Sequence, residues 1–263
     1  MGNRVINDCD DTMHRRELEQ WLQTELQPQR FKDYGPNGLQ VEGRDTVTRV
    51  LCGVTASLAL IQQAVEQGAD TVLVHHGLFW RGQDGTVKGW MRERLRLLLE
   101  HDINLLAYHL PLDAHPVWGN NAQLAKVLNL SPDPLARFGE QDLGWLGTPM
   151  QGPTRLADLQ AYVEAQLQRS SICVGNPDQM IQRVAWCTGG AQSTFQAAID
   201  QGVDLYITGE ISEPQAHWAR ESGVAYLACG HHATERYGVQ ALGQAIQDQW
   251  GLETSFVDID NPA

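Results

Sequence analysis

The chain has 263 residues, 42% of them hydrophobic, and carries a formal charge of −13. That length holds one large α/β domain or two smaller ones with cores to match. No stretch gathers lysine and arginine into the basic stripe that passive binding to a nucleic-acid backbone requires, so nucleic acid is not an expected partner.

The five cysteines (Cys9, Cys52, Cys173, Cys187, Cys229) are scattered and never form a Cys-x-x-Cys pair, the usage of a reducing compartment. Met1 to Arg16 is polar and lacks the apolar core of a signal peptide. No apolar run approaches the ~20 residues needed to cross a bilayer. A cytoplasmic protein without a membrane anchor is expected.

In chain order, Leu18, Trp21, Leu22 and Leu26 fall at helical spacing and predict an opening helix over about 13–26, ended by Pro28. Tyr34-Gly35-Pro36-Asn37-Gly38-Leu39-Gln40 is turn chemistry and reads equally as a binding loop or a plain connector. A βαβ unit follows, with strand 50–54, helix 57–67 and strand 71–74, and Gly68 caps the helix. A helix over 91–100, a strand over 103–107 and a helix over 120–130, with Asn120 or Asn121 near its N-cap, complete the first half. Residues 131–154 are rich in Pro and Gly without clear periodicity, so a boundary or insertion is placed there, before a helix over 156–167.

The first half then repeats. Ala64-Val65-Glu66-Gln67-Gly68-Ala69-Asp70 is echoed by Ala198-Ile199-Asp200-Gln201-Gly202-Val203-Asp204. The strand Thr71–Val74 is echoed by Leu205–Thr208, which puts His76 level with Glu210. Leu105–His109 is echoed by Tyr226–Gly230. Such similarity fixes architecture. The expected fold is α/β, with two similar α/β lobes (1–130 and 131–263, or both in one compact domain) arising by duplication and a metal site between them.

In parallel α/β sheets, ligands bind beyond the carboxyl ends of strands. Four predicted strands end in polar clusters: His75-His76, His109 to Asp113, Thr208-Gly209-Glu210, and Gly230-His231-His232. A lone histidine at a strand end is ordinarily a packing or surface residue; the coincidence of four such ends points to a metal. Neighbouring side chains on a strand diverge, so His75 and His76 suit two different ions, or one common site if the chain leaves the strand at His76. His231 and Glu235 are four apart, and converge if a helix carries both; the helical pattern begins at Glu235 and runs through Val239, Leu242, Ile246 and Trp250. Asp113 sits in a Pro-bracketed turn. Imidazole and carboxylate ligands admit Zn, Mn, Fe or Co, and a set this small serves two ions only if a carboxylate and a water bridge them. Gly189-Gly190 after a strand is too little for a phosphate loop.

These residues resemble a known family. Val74-His75-His76-Gly77-Leu78-Phe79-Trp80, Tyr108–Pro116 with Gly119-Asn120-Asn121, Gly230-His231-His232-Ala233-Thr234-Glu235, Asn37–Gln40 and Ile207–Glu210 are similar to the motifs of the Nif-three-like dinuclear-metal proteins, often named GTP cyclohydrolase 1 type 2 homologues, in their short bacterial branch. The resemblance implies two divalent metal ions per chain, held by His75, His76, Asp113, His231 and Glu235 with a carboxylate bridging. It implies a two-lobed fold assembled as a ring-shaped homohexamer, a trimer of dimers. His109 and Glu210 are then candidates for proton transfer or for orienting a ligand, and His232 is not counted as a ligand. The function implied is a dinuclear metal-dependent hydrolase of a small molecule, with GTP ring opening suggested by the family name; the alternative is a metal-binding or interaction protein without turnover.

Overall fold

The structure, a computed structural model, describes residues 12–263; Cys9 and most of the polar Met1–Arg16 segment lie outside the described residues. Two sheets organise the chain. The first has the order Glu253–Phe256, Arg49–Thr55, Thr71–His76, Asn104–Ala107, Gly38–Val41; the first four strands are parallel and the last is an antiparallel edge. The second has the order Ile172–Val174, Ala225–Ala228, Leu205–Thr208, Val184–Trp186, Gly144–Pro149, Leu130–Phe138, with its three central strands parallel.

Helices cover both faces of each sheet, which is why the parallel strands read as nearly unbroken apolar runs. On one face of the first sheet, helix Leu58–Glu66 packs through Leu60, Ile61 and Ala64 against Leu51, Val72 and Leu105. On the other, helix Arg15–Leu26 contributes Leu18, Leu22 and Leu26, and the long helix His231–Trp250 contributes Val239, Leu242 and Ile246. Each fully buried side chain of this kind contributes about 1.5–3 kcal/mol. In the second lobe, helix Leu156–Leu167 packs through Leu159 and Val163 against Trp186 and Ile207, and helix Phe195–Asp200 through Phe195 against Tyr206 and Tyr226.

The two halves share an element order and a turn. Asp70 Oδ2 accepts from the backbone N–H of Thr48 (2.8 Å) and Arg49 (3.0 Å), and Asp204 Oδ2 accepts from Gln182 and Arg183 at 2.8 Å each. The Asn104 N–H donates to the Asp70 carbonyl, and the Ala225 N–H to that of Asp204, both at 2.9 Å. A short antiparallel pair (Met13–His14 with Thr46–Val47; Thr154–Arg155 with Met180–Ile181) brackets the first helix of each half, one strand before it and one after.

The structure departs from the sequence expectations in four places. Residues 131–154 are not irregular: most of them form a hairpin, Leu130–Phe138 with Gly144–Pro149, at the edge of the second sheet. Pro132 and Pro134 hid it, because an edge strand tolerates the missing N–H that a central strand would not. The final helix begins at His231 rather than Glu235. Asp113 lies in a short helix, Leu110–Ala114, rather than in a turn. Finally, a boundary at 130/131 would put Glu253–Phe256 in the second lobe, whereas this strand pairs with Arg49–Cys52. Helix His231–Trp250 carries the chain back across the lobes, so its first turn sits at the second sheet and its remainder in the core of the first.

Candidate metal centre

The carboxyl ends of the parallel strands in the two sheets face each other, and the site lies between them. Strand Thr71–His76 runs through both histidines instead of stopping before them. Their rings, 4.5 Å apart between centroids, flank Glu235, which arrives on the first turns of the final helix. His75 Nε2 lies 3.5 Å from Glu235 Oε1 and 3.5 Å from Asp113 Oδ1. His76 Nε2 and His231 Nε2 lie 3.2 and 3.1 Å from Glu235 Oε2. Glu235 thus offers one oxygen to each of two groups that could hold a metal ion, His75–Asp113–Glu235 and His76–His231–Glu235. A third group, His75–His76–His109, adds His109 beside them. All seven residues singled out in the sequence lie at or beside this cluster. His232 turns away and pairs with Asp258 at 2.7 Å.

Each of the three imidazoles has its far nitrogen occupied. His75 Nδ1 donates to the Tyr108 carbonyl (3.0 Å), His231 Nδ1 to Glu210 Oε1 (2.6 Å), and His76 Nδ1 meets the Thr55 hydroxyl (3.1 Å). A carbonyl and a carboxylate can only accept, so Nδ1 carries a proton in His75 and His231, and Nε2, turned towards Glu235, is the nitrogen that would bind a metal ion once its own proton is displaced. Glu210 therefore orients His231, and Gln192 Nε2 (3.1 Å) and the Tyr226 hydroxyl (2.6 Å to its carbonyl) hold Glu210.

The site's electrostatics are those of imidazoles crowded against buried carboxylates. Glu235 Oε2 is buried and has no hydrogen-bond partner among the described residues, an arrangement that costs on the order of 1–3 kcal/mol, or more for a charged group, unless a cation satisfies it. Burial opposes a charge on His75 and His231, yet the carboxylates Asp113 and Glu235 raise His75 to about 9, and Glu235 with Glu210 raises His231 to about 9. Burial and the neighbouring imidazoles push His76 well down against the pull of Glu235. Burial would raise Glu235, but His75 and His76 hold it well below the usual carboxylate range; Asp113 is raised by its own burial. Imidazole nitrogens that give up a proton to a cation, with buried carboxylate oxygens aimed at the same points, are a donor set that fits divalent metal ions.

Several residues essential to this geometry were given no part in the site by the sequence reading. Asn120 and Asn121 do not cap their helix, whose N-cap is Gly119. Asn120 Nδ2 donates to Asp113 Oδ1 (2.8 Å) while its Oδ1 accepts from the Gly238 N–H (3.0 Å), tying Asp113 to the final helix. Asn121 accepts from the Thr188 N–H (3.0 Å) and, through its carbonyl, from Trp186 Nε1 (3.1 Å), tying the same helix to the second sheet. Gly189 has φ +70° and lies against the Glu235 carboxylate, where a Cβ would collide with Oε1. Asp33 Oδ1 pairs with His109 Nδ1 at 2.6 Å, and its other oxygen accepts from Asn37 (2.8 Å) and the Leu110 N–H (3.0 Å). Burial works against that carboxylate, but His109 and Asn37 hold it down at about 2. The only hint in the sequence was its position beside the Tyr34–Gln40 turn.

A cleft of about 300 Å³ opens from the cluster between the lobes, reaching Asp113, Glu235, His109 and His231 from Tyr34 on one side and Glu140, Ser193 and Thr194 on the other. The 139–143 loop closes over it, as Gln141 accepts from the Lys32 N–H (2.7 Å) and donates to its carbonyl (3.2 Å).

Fold and site together define a mixed α/β protein with a buried histidine–carboxylate cluster able to hold metal at the mouths of two parallel sheets. Residues 13–262 match the family model described as Duf34/NIF3 (NGG1p interacting factor 3), and the chain belongs to that family. It is 54% identical over 248 residues to a "GTP cyclohydrolase 1 type 2 homolog" of Neisseria meningitidis serogroup B, covering 94% of this chain and 98% of that one. It is 47% identical over 256 residues to the protein of the same name from Escherichia coli K12, covering 95% and 100%. Among solved structures, the protein ybgI, described as of unknown function, superposes with a TM-score of 0.90 at 47% identity, covering 95% of this chain and all of that one. TTHA1606 from Thermus thermophilus superposes at 0.86 with 31% identity, covering 95% and 100%. No helix among the described residues is long and apolar enough to cross a membrane.

Proposed function

We propose that this protein is a dinuclear metal-dependent hydrolase of a small molecule. The observation that carries the reading is Glu235: one oxygen faces His75 and Asp113, and the other, buried and without a hydrogen-bond partner among the described residues, faces His76 and His231. His75, Asp113 and Glu235 would hold one divalent ion, His76, His231 and Glu235 a second, with Zn, Mn, Fe or Co all compatible with the mixed nitrogen and oxygen set. Such ions supply an acidified water as nucleophile and polarise the bond under attack.

The chain's own residues do the rest. Tyr108, Thr55 and Glu210 fix the imidazoles so that each Nε2 points inward. His109 stands at the cleft with its ring 5.0 Å from that of His75, and Asp33 fixes the tautomer that leaves its Nε2 free to take or return a proton. Gln141 and the 139–143 loop narrow access for bulk water. The name carried by the relatives suggests ring opening of the GTP-cyclohydrolase kind, by analogy.

By family resemblance the protein works as a cytoplasmic homohexamer, and its shared turn around Asp70 and Asp204 supports an origin by duplication. The test is metal analysis followed by a turnover screen of metal-reconstituted protein across cyclic amides, nucleotides and phosphoesters. Two metal equivalents with hydrolysis of one class is the expected result. Stoichiometric metal with no turnover of any class would overturn the hydrolase in favour of a metal-binding or interaction protein.

A further inference from the structure

We infer that the cleft takes a small, uncharged ring bearing amide-type N–H and C=O groups, and not a nucleoside phosphate. The inference rests on the hydrolase reading above and narrows its substrate.

The first argument is charge. The cleft floor carries Asp113 and Glu235, and the exposed Glu140 lines it. Glu210 stands directly behind His231 and Asp33 behind His109. No lysine or arginine among the described residues lines it. Two divalent ions against five carboxylates leave the loaded site close to neutral. A triphosphate brings several negative charges into that field and meets no lysine or arginine among the described lining residues, and the long helix that starts there, at His231, already directs its first turn at Glu235. In a partly closed cleft of lowered dielectric, such uncompensated charge is costly.

The second argument is size. About 300 Å³ stands at the lower end of small-molecule pockets, which run from roughly 300 to 1,000 Å³. A single or fused ring fits; a ring with ribose and three phosphates must project far outside.

The walls match the same ligand. Leu110, Leu143 and Ala191 give apolar contact, and the hydroxyls of Ser193 and Thr194 supply neutral donors and acceptors. Tyr34, 58% exposed, presents an aromatic face beside His109, with ring centroids 6.1 Å apart. Neutral hydrogen-bonding groups set among apolar ones recognise an uncharged heterocycle and discriminate against an ion.

The experiment is calorimetric binding to the full-length, metal-reconstituted protein with free metal buffered throughout. The probes are hypoxanthine, dihydrouracil and hydantoin as uncharged cyclic amides, with inosine and inosine 5′-triphosphate as the nucleoside and its charged counterpart. The expected result is measurable binding of at least one uncharged ring and at least tenfold weaker binding of the triphosphate than of hypoxanthine. Glu140→Lys should narrow that gap by strengthening the triphosphate. Triphosphate binding as tight as, or tighter than, the free base overturns the inference, and so does failure of every uncharged ring to bind. Binding of an uncharged ring by a protein that turns over none of the classes screened above sinks the hydrolase and leaves this inference standing; turnover of a bound triphosphate does the reverse.

Discussion

The hydrogen bond from His231 Nδ1 to Glu210 makes a prediction that separates the two halves of the centre. Glu210→Gln keeps the shape of the side chain but removes the charge that holds the His231 ring and raises the basicity of its Nε2. Partners of this kind are worth about 10- to 100-fold in metal affinity. The pair is short at 2.6 Å, yet Glu210 is 41% exposed and His231 29%, so solvent screening places the effect at the low end, about tenfold or ~1.4 kcal/mol. His231 faces only Glu235 Oε2, whereas His75 and Asp113 lie on the Oε1 side. One of two binding steps should therefore weaken and the other should not. Thr55→Val, which strips the partner from His76 Nδ1, should weaken the same step. The assay is competitive titration of metal-free protein against a chromophoric chelator, fitted to two sites. Equal weakening of both steps, or none in either variant, would refute the division of the centre at Glu235.

Three further outcomes follow from the same geometry. Glu235→Ala should remove most bound metal and His231→Ala should lower it, each leaving a folded protein by circular dichroism; two full metal equivalents in both would show the ligand assignment to be wrong. Gly189→Ala places a methyl group on the Glu235 carboxylate at φ +70°, so it should cost roughly 1–2 kcal/mol of stability from backbone conformation alone and displace metal besides; wild-type metal content in this variant would contradict the contact. The Asp33 carboxyl, near 2 in the folded chain against an ordinary 3.8, contributes stability that is fully present above pH 3.8 and is lost as the pH falls through 2. With allowance for the water that reaches it, the contribution is on the order of 1–2 kcal/mol. Asp33→Asn should therefore unfold more readily than wild type in urea at pH 6, with the difference shrinking towards pH 2; a gap independent of pH would argue against an ionised Asp33 in this position.

What the sequence by itself determined was local. Apolar runs ending in His75-His76, Tyr108-His109 and Ile207–Glu210 marked the strands and their polar ends, because the part of a parallel strand covered on both faces by helices is close to continuously apolar. The matching Gln-Gly-x-Asp turns were legible because Gly68 and Gly202 both take φ +65° and both aspartates secure a strand start. The i, i+4 spacing of His231 and Glu235 needed only a helix to bring them together.

Tertiary structure decided everything that depends on elements meeting. The edge strand Leu130–Phe138 was hidden by its prolines, tolerated only because one side of it pairs. Glu253–Phe256 joins the first sheet because the final helix spans the lobes, a distance no local pattern encodes. The roles of Asp33, Asn120, Asn121 and Gly189 were not legible locally, because each makes a bond to a partner between 45 and 118 residues away: Asp33 to His109, Asn120 to Gly238, Asn121 to Thr188 and Gly189 to Thr234. The division of Glu235 between two sets of nitrogens is likewise a property of the closed interface, since His76 reaches Oε2 from the first sheet and His231 reaches it from the end of the second. A strand pattern can place an imidazole at a mouth; only the packing of the second lobe against the first determines which oxygen it faces.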